Sequence, residues 1–321
     1  MTDEQAPYTS EPPPPPFATL DDAEKKTWLH PFPSFIFGAI LCVVVMGLQG
    51  CLGAIGGAFQ LVLTSLLSPE SVPFEQLMEQ FALSPVLLGI VNTAAVGSVL
   101  FAASPLTRST LREVYPFRGI PFIAYLPLIV MMIGLGFAVS ELDNNIRALY
   151  PMPEFLEQAS ALSADTLPAL IALAFVLVVI APLTEELLFR GLIMHGFLRR
   201  YSARAAIVLS AALFAVLHVN PWVMPSVLAI GIVLGYLRVA SGGVWAPMFA
   251  HGLHNGAVFC FAYLKWFPIQ GYSVDYEDGM HQPIALTITG VILAIGGFYV
   301  LARLLKKKDA EHLDDLLNSG R

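Results

Sequence analysis

Charge is scarce in this sequence. Only 13% of its 321 residues are charged, against about a quarter in a soluble globular chain. Hydrophobic residues make up 56%, and the mean hydropathy is +0.69. That balance excludes an ordinary soluble domain. Alternation of apolar and polar residues is also missing from the long apolar runs. A bilayer admits helices or a closed barrel, and continuous runs select helices. Cysteine is rare: Cys42, Cys51 and Cys260 all lie in apolar segments. An odd number without metal spacing excludes a disulfide framework and leaves the three as small core residues. The first 30 residues are polar and acidic, so no cleavable signal peptide is expected. The final Asn-Ser-Gly-Arg carries no lipidation signal.

What remains is an all-α, polytopic membrane bundle of about eight transmembrane helices. The expected spans are 34–67, 84–104, 121–140, 167–198, 204–219, 223–240, 244–264 and 283–304, since a crossing takes about 20 residues. The first and fourth are long enough to tilt, kink or protrude. Gly53 and Gly57 form a GxxxG pair that would let helices approach closely. Pro168 and Pro182 are candidate bends in the fourth span. Residues 1–30, with prolines from Pro12 to Pro16, read as a disordered cytosolic tail, a possible site for a partner. Residues 31–305 form the transmembrane domain, and 306–321 a short charged tail. The stretch 141–166 mixes acids with Leu149, Tyr150, Phe155 and Leu156, and either lies along the outer interface or dips back.

Basic residues set the orientation. With a cytosolic N-terminus and eight spans, fourteen of the seventeen basic residues fall on the cytosolic side. Arg147 and Lys265 fall opposite, and Arg190 lies within a span. Trp28, Trp222, Trp245 and Trp266 all fall at span ends, where an aromatic belt would hold them. The net charge of −7 averages two oppositely biased faces and points to no nucleic-acid partner.

Against that apolar background, Pro182-Leu-Thr-Glu185-Glu186-Leu-Leu-Phe-Arg190 stands out. Ionised groups at bilayer depth are costly and usually functional. Glu186 and Arg190 are spaced i, i+4 and form a favourable pair. Glu185 is about 100° round the helix, without an internal counter-ion. His218, His251, His254 and Asn255 are the other polar groups of interest. Counted from Arg199, Arg204 and Arg238, the residues Glu185, His218 and His251 lie 13 or 14 residues along. That is about 20 Å in a continuous helix, a shared depth. His251 and Asn255 share a face at i, i+4. His195 belongs to the cytosolic edge.

Taken singly, each group has a bland reading. An intramembrane histidine is often an interhelical hydrogen-bonding group, and Glu186–Arg190 reads as a structural pair. Taken together they are the parts for water attack on an amide. A carboxylate in apolar surroundings is a stronger base than one in water. One histidine can orient a water, and another histidine with an amide can stabilise an oxyanion. No serine or cysteine is placed as a nucleophile; Ser210 is two turns from His218, and Cys260 lies beyond Asn255.

Three motifs in order resemble the CPBP family of CAAX-type intramembrane proteases and bacteriocin-processing enzymes. They are Glu185-Glu186-Leu-Leu-Phe-Arg190 (EExxxR), Phe214-Ala-Val-Leu-His218 (FxxxH) and His251-Gly-Leu-His-Asn255 (HxxxN). The glycine-rich Gly231-Ile-Val-Leu-Gly235-Tyr236 precedes the third. The resemblance covers a motif core of 167–261. It implies an endopeptidase of a bacterial inner (plasma) membrane, acting on a peptide or membrane-protein substrate near the cytosolic face. It implies Glu185 and His218 as activators of water, His251 and Asn255 as the oxyanion site, and Glu186 with Arg190 in support. No cofactor is then needed. The alternative is zinc held by Glu185, His218 and His251 with an open water position, although the histidines do not share one helix as in HExxH. The same buried groups would also serve a proton-coupled transporter, and the same fold without catalysis would be a scaffold.

Overall fold

The computed structural model describes residues 32–67, 84–153, 164, 166–264, 268–272 and 280–319. The proline-rich tail lies outside them, as do 154–163 in the stretch expected along the outer interface. Among the described residues there is no strand, and eight longer helices follow one another. They are α1 (Phe35–Leu67), α2 (Pro85–Ala103), α3 (Tyr125–Leu149), α4 (Leu167–Leu198), α5 (Ala203–Leu217), α6 (Met224–Ser241), α7 (Trp245–Phe259) and α8 (Ile284–Ser319). Six of these, all but α5 and α7, are long and apolar enough to cross a membrane. The chain is a multi-pass membrane protein. At 15 residues α5 falls short of a full crossing, whereas α7 runs on as π-helix through Cys260–Leu264.

Short polar side chains set several of the helix starts. Ser84, Thr166 and Ser202 each accept a hydrogen bond from a backbone N–H three residues on, the usual N-cap arrangement. Pro168 sits in the first turn of α4, where a missing N–H is harmless. It is therefore part of a helix start and not a bend. Gly242, at φ 67°, closes α6 in the left-handed region that glycine tolerates. The turn it makes separates Arg238 from His251, so the depth count across that pair does not apply. The first stretch of 141–166 continues α3 to Leu149, and Asp143 accepts a hydrogen bond from Ser226 of α6.

Two apolar clusters hold the bundle. One joins α1, α2, α4 and α5 through Val45, Val96, Leu192, Phe197 and Phe214. The other joins α3, α6, α7 and α8 through Leu128, Met131, Leu234, Ala250 and Leu301. Helix α4 packs on α2 and α5 on one side and on α7 on the other, so its polar turn falls at the seam. Cys42 is buried in the first cluster, as expected, whereas Cys51 is exposed. The GxxxG expectation holds only loosely. A Cβ on Gly53 would meet nothing within 4 Å, and the close approach of α1 to α2 is at Gly56 against Leu87.

Candidate active site

Helix α4 is widened into π-helix on both sides of the glutamates, at Val176–Ile180 and Leu187–Ile193. Such bulges are frequent at functional sites. Pro182 supplies a local cause for the first, since it cannot donate to Val178 O four residues earlier. Helix α7 packs onto this stretch. A Cβ on Gly252 would lie 2.7 Å from Val178 O, so only glycine allows that approach. One turn later Asn255 Nδ2 donates to Leu177 O at 2.9 Å. The bent backbone of α4 thereby fixes the register of α7, and with it His251.

Glu186 and Arg190 are fully buried and joined at 2.8 Å. Arg190 also donates to Gly231 O at 2.9 Å, and its guanidinium lies 4.7 Å from the Phe214 ring centre. Arg238, itself buried, donates from Nε to the Arg190 carbonyl at 2.9 Å. Arg238 is thus a strut of the site and not a headgroup anchor. Glu186 Oε1 takes a second bond, from His251 Nδ1 at 2.9 Å. Oε1 alone serves both partners, and Glu186 Oε2 and Arg190 Nε have none among the described residues.

These contacts fix one imidazole proton. A carboxylate already paired with arginine can only accept, so His251 Nδ1 carries a proton. The opposite nitrogen, Nε2, stands 3.8 Å from Glu185 Oε2. Among the described residues this is the one polar contact of Glu185. Its side chain is 20% exposed, whereas that of Glu186 is 0% exposed. Glu185 opens on a cavity of about 530 Å³ between α1, α2 and α4, lined also by Gln49, Gly53, Ser84, Asn92 and Leu177.

The sequence-expected residues are gathered unevenly. Glu185, Glu186, Arg190 and His251 form one contact chain. Asn255 is on the same face of α7 but spends one N–H on Leu177 O. His218, exposed at the end of α5, donates from Nδ1 to Phe214 O at 2.9 Å, which leaves Nε2 as an acceptor. No hydrogen bond or ion pair links it to Glu185 among the described residues. His218 and His251 both meet the Phe214 ring edge-on, at centroid distances of 4.9 and 5.6 Å. His254 turns to a larger, mostly apolar cavity of about 730 Å³ that does not include Glu185. His195 is at the end of α4 as expected, 3.0 Å from Ser109. Sequence reasoning read Arg238 as an anchor and passed over Gln49, Asn92 and Thr184. The last three are polar residues in apolar spans, the same signal that singled out the histidines, but they belong to no motif.

The zinc alternative needs Glu185, His218 and His251 on one ion. Among the described residues no three His, Cys, Asp or Glu side chains are grouped to hold a metal, and the bond of His251 Nδ1 to Glu186 leaves Nε2 as its open nitrogen.

A helical membrane protein with a carboxylate–imidazole–carboxylate array opening on an internal cavity belongs to the broad class of polytopic membrane proteins with polar chemistry at depth. The comparison with known families narrows this. Residues 167–257 match the family described as Type II CAAX prenyl endopeptidase Rce1-like, and this segment is a domain of the CPBP family. The family is one of proteases that act on peptide substrates in the membrane. The chain is also similar to an uncharacterized 24.3 kDa protein of Escherichia coli, at 26% identity over 145 residues. That match covers 40% of this chain and 66% of the relative. No solved structure matches the chain.

Proposed function

We propose that the chain is an intramembrane endopeptidase in which Glu185 activates water, with cleavage near the cytosolic side of a bacterial inner membrane. The family match supports the reaction class, and the thirteen basic residues that remain on the expected cytosolic side once the buried Arg238 is set aside support the orientation. The observation that carries the mechanism is the position of Glu185. It is the carboxylate that faces a cavity, while its neighbour is neutralised inside the protein.

In this scheme water bridges Glu185 and His218 Nε2. Glu185 removes a proton, and the resulting hydroxide attacks the carbonyl carbon. The oxyanion is held by His251 and by the second N–H of Asn255. As the tetrahedral adduct collapses and the C–N bond breaks, Glu185 returns the proton to the leaving amine. Glu186 and Arg190 hold the His251 ring in place.

Purified protein in nanodiscs, given quenched-fluorescent peptides in H₂¹⁸O, is expected to place one ¹⁸O in each new carboxyl group. It should do so with zinc far below stoichiometric and without inhibition by chelator. Activity that tracks bound zinc and disappears with chelation would contradict the glutamate mechanism.

A further inference from the structure

The cavity beside Glu185 contains two polar residues that this mechanism leaves without a task. Gln49 of α1 and Asn92 of α2 share its wall with Gly50, Gly53 and Ala54. They are linked end to end. Gln49 Nε2 donates to Asn92 Oδ1 at 2.9 Å, Asn92 Nδ2 donates to Thr184 Oγ1 at 2.8 Å, and the Thr184 hydroxyl donates to Ile180 O at 2.8 Å. Thr184 is the residue before Glu185. The two amides are therefore tied to the same turn of α4 that carries the proposed base.

Each side-chain amide offers two N–H donors and one oxygen with two lone pairs. The chain of bonds uses one N–H of each residue and one lone pair of Asn92 Oδ1. Gln49 Oε1, a second N–H of Gln49 and a second N–H of Asn92 remain. Both side chains are half-buried and border the cavity.

An extended peptide presents alternating C=O and N–H groups, each needing a partner when it leaves water. Gln49 and Asn92 supply one acceptor and two donors of matching neutral character. Among the described lining residues none is cationic, and the small residues beside the amides leave room for a main chain. We propose that Gln49 and Asn92 bind the substrate backbone, holding an extended segment of small, uncharged residues against Glu185. The inference rests on the endopeptidase reading and deepens it.

The probe is the fastest-cleaved member of a pool of uncharged quenched-fluorescent decapeptides, assayed on the full chain in nanodiscs. It is compared with copies in which one backbone amide at a time is replaced by an ester. In wild type, one ester position is expected to lower kcat/KM about tenfold, the effect of one lost hydrogen bond to a peptide group. Gln49→Met or Asn92→Leu should lower cleavage of the all-amide peptide by a similar factor. In at least one of them the ester penalty should shrink to less than about twofold. Gln49→Ser and Asn92→Ser, which stay polar but are too short to reach the same substrate groups, are used if an apolar variant does not insert. An ester profile unchanged from wild type in variants at both positions overturns the proposal and leaves the enzyme reading intact. Cleavage undiminished in Glu185→Gln, or no cleavage of any pool member by wild type, overturns the enzyme reading and this inference with it.

Discussion

Glu185 and Glu186 are neighbours in sequence and opposites in surroundings. Glu186 points into the seam between α4, α6 and α7. There an arginine, a histidine and a backbone carbonyl bonded to that arginine make a closed polar cluster. Glu185, one residue and about 100° away round the helix, meets one imidazole nitrogen at 3.8 Å among the described residues, and a cavity. The comparison teaches that charge at bilayer depth can be spent in two ways. A neutralised carboxylate organises structure, and an under-satisfied one is available for chemistry. His251 is the link between them, because one nitrogen belongs to each glutamate.

The sealed side should break hardest in stability. Arg190→Met leaves Glu186 buried beside His251 with one partner removed. Unfolding in detergent is expected to show a loss of about 3–5 kcal/mol, the usual effect of breaking a buried ion pair. A loss below about 1 kcal/mol would put the pair in the range of an exposed surface bridge and erase the contrast. A smaller effect is expected where α7 meets α4. Gly252→Ala would push a methyl group to 2.7 Å from Val178 O. Overpacking of this kind destabilises by about 1–3 kcal/mol, and the shift of His251 should reduce cleavage as well.

Asn255→Leu sharpens the comparison further. Loss of the bond to Leu177 O is expected to lower stability by only about 1 kcal/mol, typical of interhelical hydrogen bonds in membranes. A much larger loss of cleavage would separate its proposed catalytic role from its packing role. The smallest effect concerns a carboxylate outside the membrane. Glu113 closes a capping box on the one-turn helix Leu111–Val114, accepting from Thr110 N at 2.7 Å. That bond holds its pKa below the usual glutamate range. Its stabilisation is present above the unfolded-state value and is lost as pH falls through the lowered folded value. Amide hydrogen exchange over 110–115 should therefore quicken in mild acid in wild type, and Glu113→Gln should remove that pH dependence.

Much of the site was legible because membranes make polarity conspicuous. Glu185, Glu186, Arg190, His251 and Asn255 were visible against apolar runs, and i, i+4 spacing paired Glu186 with Arg190 correctly. What spacing could not supply was the third dimension. Nothing local says that His251 reaches Glu186, because the contact depends on Gly252 settling onto the carbonyl that Pro182 leaves free. Arg238 looked like an anchor because arginines at span ends usually are; its burial follows from the Gly242 turn and from α4 lying behind it. The described residues hold eight longer helices in the expected order, of which six are long and apolar enough to cross a membrane. Span counting could not tell a full crossing from the shorter α5, since its apolar run continues into a turn.

The most direct test sets two properties of Glu185→Gln side by side, the thermal midpoint and the rate of peptide cleavage measured on one purified preparation. The account predicts a midpoint close to wild type, because among the described residues the carboxylate has no hydrogen-bond partner to lose, together with cleavage reduced by about a thousandfold or more. A folded Glu185→Gln protein that cleaves as fast as wild type would contradict it.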